Sequence, residues 1–176
     1  MTTMKYFNFA VLIALFTVAN ALNIEVLHKA LNTTEKVWLK KRSFPIPDDK
    51  CTYASKLFLN ETDYKFRLHD EIGKEKVQQE FFAKLGGGER GEDPWMTVSS
   101  VEGGTGQDYT LKFASDTEKC GVLTFNLGGM DLCKMYVWDQ TVDTTLTECE
   151  KNYNAICQES HTVYSSDCKA KSVQNN

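Results

Sequence analysis

The chain has 176 residues, with 20 Lys or Arg, 24 Asp or Glu and three His, so its formal net charge is -4. This length suits one domain plus a removable segment, and an acidic chain without a basic stretch excludes a cationic track for nucleic-acid phosphates. Hydrophobic residues make up 41% of the chain, which is enough for a packed core and excludes a disordered polypeptide.

Residues 1–21 have the pattern of a secretory signal peptide. Lys5 is the only charge there, an apolar run extends from Phe7 to Val18, and Ala19-Asn20-Ala21 supplies small residues for cleavage. The apolar run is shorter than the ~20 residues that span a bilayer as a helix, which disfavours the alternative of an N-terminal anchor. We therefore predict a secreted domain over residues 22–176 with no membrane span.

An N-terminal helix and eight strands are predicted in chain order. Ile24, Leu27 and Leu31 recur at helical spacing. Alternating or β-rich segments, separated by Gly, Pro or Asn turns, follow at residues 36–44, 51–59, 64–69, 77–84, 95–101, 109–114, 121–126 and 135–138.

A second helix is predicted after the strands. Thr147 and Glu150 have capping-box spacing, and Cys149, Tyr153 and Cys157 then fall on one face. Consecutive strands with tight turns imply antiparallel pairing, and closing such a sheet removes its exposed edges. The prediction is an all-β, eight-stranded antiparallel barrel with a short N-terminal helix and a C-terminal helix on its wall, with a β-sandwich as the alternative.

Six cysteines lie in the domain, and their even number in a secreted chain predicts three disulfides, for which fifteen pairings exist. The alternative, a zinc site, is disfavoured because no C-x-x-C pair occurs, and no metal is predicted. Asn32-Thr33-Thr34 and Asn60-Glu61-Thr62 are N-glycosylation sequons, so Asn32 and Asn60 are predicted glycosylation sites.

The spacing of Cys51, Cys120, Cys149 and Cys168, with Tyr136-Val137-Trp138 between the middle two, resembles that of the tick salivary lipocalins, a histamine-binding-protein-like family. The resemblance covers nearly the whole domain and is greatest to the japanin branch. It implies the pairs Cys51–Cys168 and Cys120–Cys149, which leaves Cys133 with Cys157.

The resemblance also bears on the ligand. Amine-binding members have carboxylates that pair with an ammonium group, and here Gly121 and Tyr136 stand at those two positions. The predicted inward faces carry no acid, and burying an unpaired ammonium costs several kcal/mol. A neutral, apolar ligand of sterol or fatty-acid type is therefore predicted, the alternative being that these side chains fill a solid core.

The predicted ligand-binding residues come from the inward faces and from the resemblance. They are Trp38, Phe44, Tyr53, Ser55, Leu57, Phe66, Gln79, Phe81, Tyr109, Leu111, Phe113, Leu123, Phe125, Tyr136 and Trp138.

The function that the resemblance implies is a secreted salivary lipocalin that holds a sterol such as cholesterol, or another lipid, and modulates host dendritic cells through a surface receptor. The alternatives are a scavenger of histamine, serotonin or eicosanoids, and an interaction protein without a functional cavity. An enzyme is not predicted, because no nucleophile context accompanies His28, His69 or His161, and no cofactor is predicted.

Overall fold

The computed structural model describes residues 22–88 and 91–173, so the predicted signal peptide lies outside the described residues. The helices and strands, in chain order, are α1 (Ile24–Leu31), β1 (Val37–Arg42), β2 (Asp49–Leu59), β3 (Asp63–Ile72), β4 (Glu75–Gly86), β5 (Trp95–Ser99), β6 (Gln107–Ser115), β7 (Cys120–Leu127), β8 (Met130–Trp138), α2 (Thr147–Ile156), β9 (His161–Thr162) and α3 (Asp167–Val173).

Strands β1 to β8 form a closed antiparallel barrel. Each strand from β2 to β8 pairs with the next, and β1 pairs with both β8 and β2, which closes the ring. Tight turns make this order possible; Gly128 and Gly129 both have positive φ between β7 and β8, where other residues would be strained. The predicted fold class is therefore confirmed, and the two-residue β9 is an addition that pairs with β1.

The predicted N-terminal helix is confirmed as α1. Asn23 caps it, because its side-chain oxygen accepts a hydrogen bond from the backbone N–H of Val26 at 3.0 Å. Leu27 is fully buried and packs with the interior residues of the barrel. This helix therefore covers one end of the barrel, which is the end where the β6–β7 turn lies.

The second predicted helix, α2, packs on the outer wall against β6, β7 and β8. Cys149 and Tyr153 are fully buried on its packing face. The predicted capping box is wrong, since no side chain within α2 caps it. Instead, the Glu118 carboxylate accepts the backbone N–H groups of Glu148 and Cys149, each at 2.9 Å.

The three predicted disulfides are confirmed as Cys51–Cys168, Cys120–Cys149 and Cys133–Cys157. The last two join α2 and the residue after it to β7 and β8. The first joins β2 to α3. All six cysteines are buried, so the bridges lie within packed structure.

The molecule has two separate apolar cores. One fills the barrel around Phe66, Leu111 and Leu123. The other lies between the outer wall and the C-terminal segment, around Trp38 and Tyr153. Strands β1, β2, β7 and β8 are therefore covered on both faces over part of their length. No helix in the described ranges is long and apolar enough to cross a membrane.

Candidate functional site

A cavity of about 690 Å³ lies between α1 and the barrel interior. Its volume falls within the range of small-molecule sites in proteins. Helix α1 contributes one wall, and strands β1 to β3 and β6 to β8 contribute the rest. The lining is mainly apolar and includes Leu22, Val26, Leu27, Leu31, Val37, Ala54, Phe66, Leu111, Leu123 and Trp138.

The charged groups of the cavity lie at its edge, where two lysines flank one carboxylate. Asp116 is the one carboxylate among the lining residues that the structure describes, and its oxygens lie 2.9 Å from the Lys29 ammonium and 2.7 Å from that of Lys119. Hydrogen bonds from Lys119 and Lys29 lower the pKa of Asp116 to about 2. This carboxylate is thus already paired and is not free for a cationic ligand.

Polar contacts fix α1 over the cavity. The indole N–H of Trp138 donates to the carbonyl of Ala30 at 3.1 Å, and the His28 imidazole lies 2.8 Å from the carbonyl of Glu61. Trp138 and Ala30 both line the cavity, so the first of these hydrogen bonds links its β8 wall with its α1 wall.

Three tyrosines give the interior its neutral polar groups. Tyr64 and Tyr136 line the cavity, and Tyr109 lies further along the same interior. Burial raises the pKa of each hydroxyl, which keeps it protonated at neutral pH. None of the three hydroxyls makes a hydrogen bond within the described part of the chain, so each can donate to or accept from a ligand.

Charged residues occupy the end of the interior that is remote from α1. Arg42 and Asp49 form an ion pair whose side chains are only 4% and 8% exposed. Thr52 donates to Asp49 at 3.0 Å, and the same hydroxyl lies close to Asp70. Burial is the main cause of the raised pKa of Asp70. The expectation of an acid-free interior is therefore wrong, because Asp49 and Asp70 both lie there.

Lys134 extends into the same region from β8. Its ammonium lies 5.3 Å from the centre of the Tyr109 ring and 5.4 Å from that of Phe125. Burial, with a smaller contribution from Arg42, lowers the pKa of this ammonium to about 8, while Asp70 and Asp49 oppose the shift. The two aromatic faces supply part of the stabilisation that the ammonium loses on leaving water.

Nine of the fifteen predicted ligand-binding residues lie inside the barrel. Five line the cavity: Phe66, Leu111, Leu123, Tyr136 and Trp138. Phe81 and Tyr109 pack within the interior core, and Phe44 meets Phe125 edge-on toward the charged end. Ligand contact by these nine residues stays a prediction.

Trp38, Tyr53 and Ser55 lie on the outer wall, so their inward assignment is wrong. Val37 pairs with Ala54 and both line the cavity, which places the adjacent Trp38 and Tyr53 on the opposite face. All three border an outer pocket of about 400 Å³. Alternation misled here because the C-terminal segment covers this wall, so apolar residues occupy both faces of the strands.

The inward assignments of Leu57 and Phe113 are wrong for a different reason, which is a break in strand register. A shift between Lys56 and Phe58 leaves Leu57 unpaired and 42% exposed. A shift between Leu111 and Phe113 turns Phe113 outward, where it packs on the outer core. One extra residue in a strand moves all later side chains to the other face.

The prediction that Gln79 lines the cavity is wrong, because this residue is exposed. It is the last of five exposed residues at the start of β4. The sequence predicted helix α1 but not its place in the cavity wall, and it did not place Asp70 or Lys134 inside the barrel. Lys134 lies on the same face of β8 as Tyr136 and Trp138, and Asp70 lies on the same face of β3 as Phe66. Extending the alternation along these two strands would therefore have placed Lys134 and Asp70 inside the barrel.

Among the residues that the structure describes, one group of side chains has metal-ligand proximity, namely Glu118, Cys120 and Cys149. The two cysteines form a disulfide and the glutamate caps α2, so each has a structural role.

Comparisons with known proteins agree with this architecture. A family model described as tick histamine binding protein matches residues 19–170. No curated protein matches the sequence significantly. Among solved structures, japanin from Rhipicephalus appendiculatus bound to cholesterol is similar with a TM-score of 0.61 and 14% identity, covering 79% of this chain and 98% of that one. The AM182 serotonin complex is similar with a TM-score of 0.61 and 17% identity, covering 81% and 91%.

Proposed function

The chain belongs to the tick histamine binding protein family, and we propose that it uses its barrel to carry or sequester a neutral, mostly apolar small molecule, with a sterol as the best candidate. The observation that carries this proposal is the cavity beneath α1, whose lining is apolar and whose one described carboxylate is already paired with two lysines. Binding, rather than catalysis, is the activity that such a site supports.

A sterol suits this cavity for reasons of shape and polarity. Its rigid apolar body would cover the side chains of Phe66, Leu111 and Leu123, and its single hydroxyl could use one of the tyrosine hydroxyls. Burying several hundred Å² of apolar surface at ~25 cal/mol/Å² supplies enough gross driving force for tight binding. Japanin, a similar structure, is described as bound to cholesterol, which supports the choice of ligand.

The proposal includes secretion into saliva and action on the host. The signal-peptide pattern of residues 1–21 and the three disulfides support an extracellular protein. Asn32 and Asn60 are both exposed, so both remain proposed glycosylation sites. We further propose, from the resemblance to the japanin branch, that the loaded protein modulates host immune cells, dendritic cells among them, through a surface receptor.

Capture of a biogenic amine is the second candidate function, and Asp70 is the observation in its favour. This carboxylate lies inside the barrel, near Tyr109 and Tyr136, and no ion pair occupies it in the described chain. An ammonium would find aromatic rings and an acid there. Lys134 and Arg42 disfavour this candidate, because a cationic guest would enter a region that already holds two cations.

Native mass spectrometry of the protein secreted from eukaryotic cells tests the proposal. We expect a co-purified neutral lipid that appears in the organic extract of the denatured protein, and we expect weak or absent binding of histamine and serotonin in calorimetry. An empty protein that takes up an amine at submicromolar concentration, and takes up no sterol when incubated with it, would show that the second candidate is correct.

A further inference from the structure

Lys134 occupies a position between the apolar cavity and the charged end of the barrel. It pairs across the sheet with Leu123, which lines the cavity, and it shares the interior face of β8 with Tyr136. At the usual rise of a strand, two residues separate Lys134 from Tyr136 by about 7 Å along β8. A ligand that fills the cavity and extends past Tyr136 therefore approaches the Lys134 ammonium.

The ammonium of Lys134 has unused hydrogen-bond donors. No hydrogen bond and no carboxylate oxygen within 4.0 Å engages it in the described ranges. In those ranges, every side-chain nitrogen or oxygen atom that is fully enclosed by protein has a hydrogen-bond partner. Because the Lys134 ammonium has no such partner, it must border space that a water molecule can reach. A buried ammonium with three unused donors is costly unless water or a ligand accepts from it.

The charge balance around Lys134 indicates which acceptor fits. The neighbouring ionisable groups are two cations, Arg42 and Lys134, and two acids, Asp49 and Asp70. A cationic or anionic guest would leave a net charge in an interior where charges are poorly solvated. A neutral hydroxyl leaves the balance unchanged, and it can accept from the ammonium and donate to an acidic or phenolic oxygen.

We propose that Lys134 is the specificity-determining residue of the cavity, and that its ammonium donates a hydrogen bond to the hydroxyl of a neutral, hydroxylated lipid whose apolar body lies beneath α1. This inference rests on the proposed function and adds the polar group that the ligand must carry. Tyr136 and Tyr109 lie beside the same position, and their hydroxyls are the other groups that can orient the ligand.

The test compares two steroids that differ only by the 3β-hydroxyl group, cholesterol and its parent hydrocarbon cholest-5-ene. Lys134→Met removes the ammonium and retains an unbranched apolar chain, whereas Lys134→Arg retains a cation. The matched control is Lys65→Met, because the Lys65 ammonium also lies over an aromatic ring, 5.0 Å from Phe82, but on the outer wall. Affinities of the delipidated, disulfide-bonded proteins are measured by titration of intrinsic tryptophan fluorescence.

We expect the parent and Lys65→Met to bind cholesterol at least tenfold more tightly than cholest-5-ene, as for a hydrogen bond to a charged group. Lys134→Met should bind the two steroids equally, and Lys134→Arg should keep most of the preference. Circular dichroism identifies any variant that fails to fold. If Lys134→Met does, Lys134→Gln, which removes the cation but keeps a polar side chain, provides the decisive comparison, because it should lose most of the preference that Lys134→Arg keeps.

Three results would overturn the inference, and they differ from failure of the proposed function. Equal binding of both steroids by the parent protein would show that the hydroxyl contributes nothing to affinity. A preference that survives in Lys134→Met would assign it to another residue. Much tighter binding of cholesterol sulfate, dependent on Lys134, would indicate an anionic ligand. If the parent protein binds no steroid and no extracted lipid, the proposed function itself is wrong.

Discussion

At the scale of single residues, the Arg42–Asp49 pair is the interaction with the largest expected effect on stability. Both side chains are almost fully buried, and Arg42 also donates to the carbonyls of Phe44 at 3.0 Å and Ile46 at 3.1 Å. We expect Asp49→Ala to lower the free energy of unfolding by about 3–5 kcal/mol, because it leaves a buried guanidinium without its acid. Urea unfolding measures this change.

The control is Asp116→Ala, which removes an exposed acid that is also paired with lysines. Water and salt screen exposed pairs, which therefore contribute little to stability, so this variant should unfold near the parent midpoint. Equal losses in the two variants would contradict the buried position of the Arg42–Asp49 pair.

Lys134 gives a second prediction at this scale, the dependence of stability on pH. Folding lowers the pKa of its ammonium from the ordinary 10.5 to about 8, so above pH 8 the unfolded chain holds more protons at this site than the folded protein. Stability then rises with pH between these two values, by an amount on the order of 3 kcal/mol. We expect the free energy of unfolding, relative to that of Lys134→Met, to rise from pH 8 to pH 10; a flat difference would contradict a buried Lys134.

The sequence was most informative about residues with one clear environment. Phe66, Leu111 and Leu123 alternate on strands whose outer face is polar or mixed, and the interior assignment holds for them. Trp38 and Tyr53 lie on strands that are covered on both sides, so residue type alone did not distinguish the two faces. The predicted third strand ended at His69, one residue before Asp70, so the alternation was not extended to this acid.

At the scale of elements, the register shift in β6 decides which aromatic side chain reaches a ligand. Leu111 pairs with Leu123 inside the barrel, whereas Phe113, two residues later, pairs with Val122 on the outer face. We expect Leu123→Asp to abolish retention of a co-purified lipid, because it places a carboxylate in the cavity wall. We expect Phe113→Asp to retain the lipid and lower the melting temperature, because Phe113 packs on the outer core.

Lipid content per protein by mass spectrometry and thermal melting together check this pair. Loss of lipid in both variants, at equal melting temperature, would mean that Phe113 faces the cavity and that the strand has no bulge. Strand existence followed from hydrophobic period and turns, whereas a bulge depends on closing a barrel of fixed geometry, which local sequence does not encode.

At the scale of the molecule, the barrel separates an apolar cavity at the α1 end from a charged cluster at the other. The chain order and tight turns predicted the closed barrel. The location of the cavity was not predictable in the same way, because it depends on α1 folding back over strands more than 80 residues away, as the Lys29–Asp116 pair illustrates. The outer core similarly depends on the C-terminal segment returning to β1 and β2.

The disulfides should stabilise this architecture unequally. Cys51–Cys168 joins residues 117 apart in sequence, and Cys133–Cys157 joins residues only 24 apart. The longer loop restricts the unfolded chain more, by about 1 kcal/mol in the chain-entropy description. We therefore expect replacement of Cys51 and Cys168 by alanine to lower the free energy of unfolding more than the same replacement of Cys133 and Cys157.

Guanidinium unfolding under non-reducing conditions compares the two double variants, each of which replaces two buried cysteines. Thiol titration of the denatured parent should read zero, since all six cysteines are paired. Because Cys168 belongs to α3 and anchors the C-terminal segment to β2, the first variant should also expose Trp38, whose fluorescence would shift to longer wavelength at low denaturant. A greater loss from the Cys133–Cys157 variant would mean that α2, and not the C-terminal segment, is the main support of the outer wall.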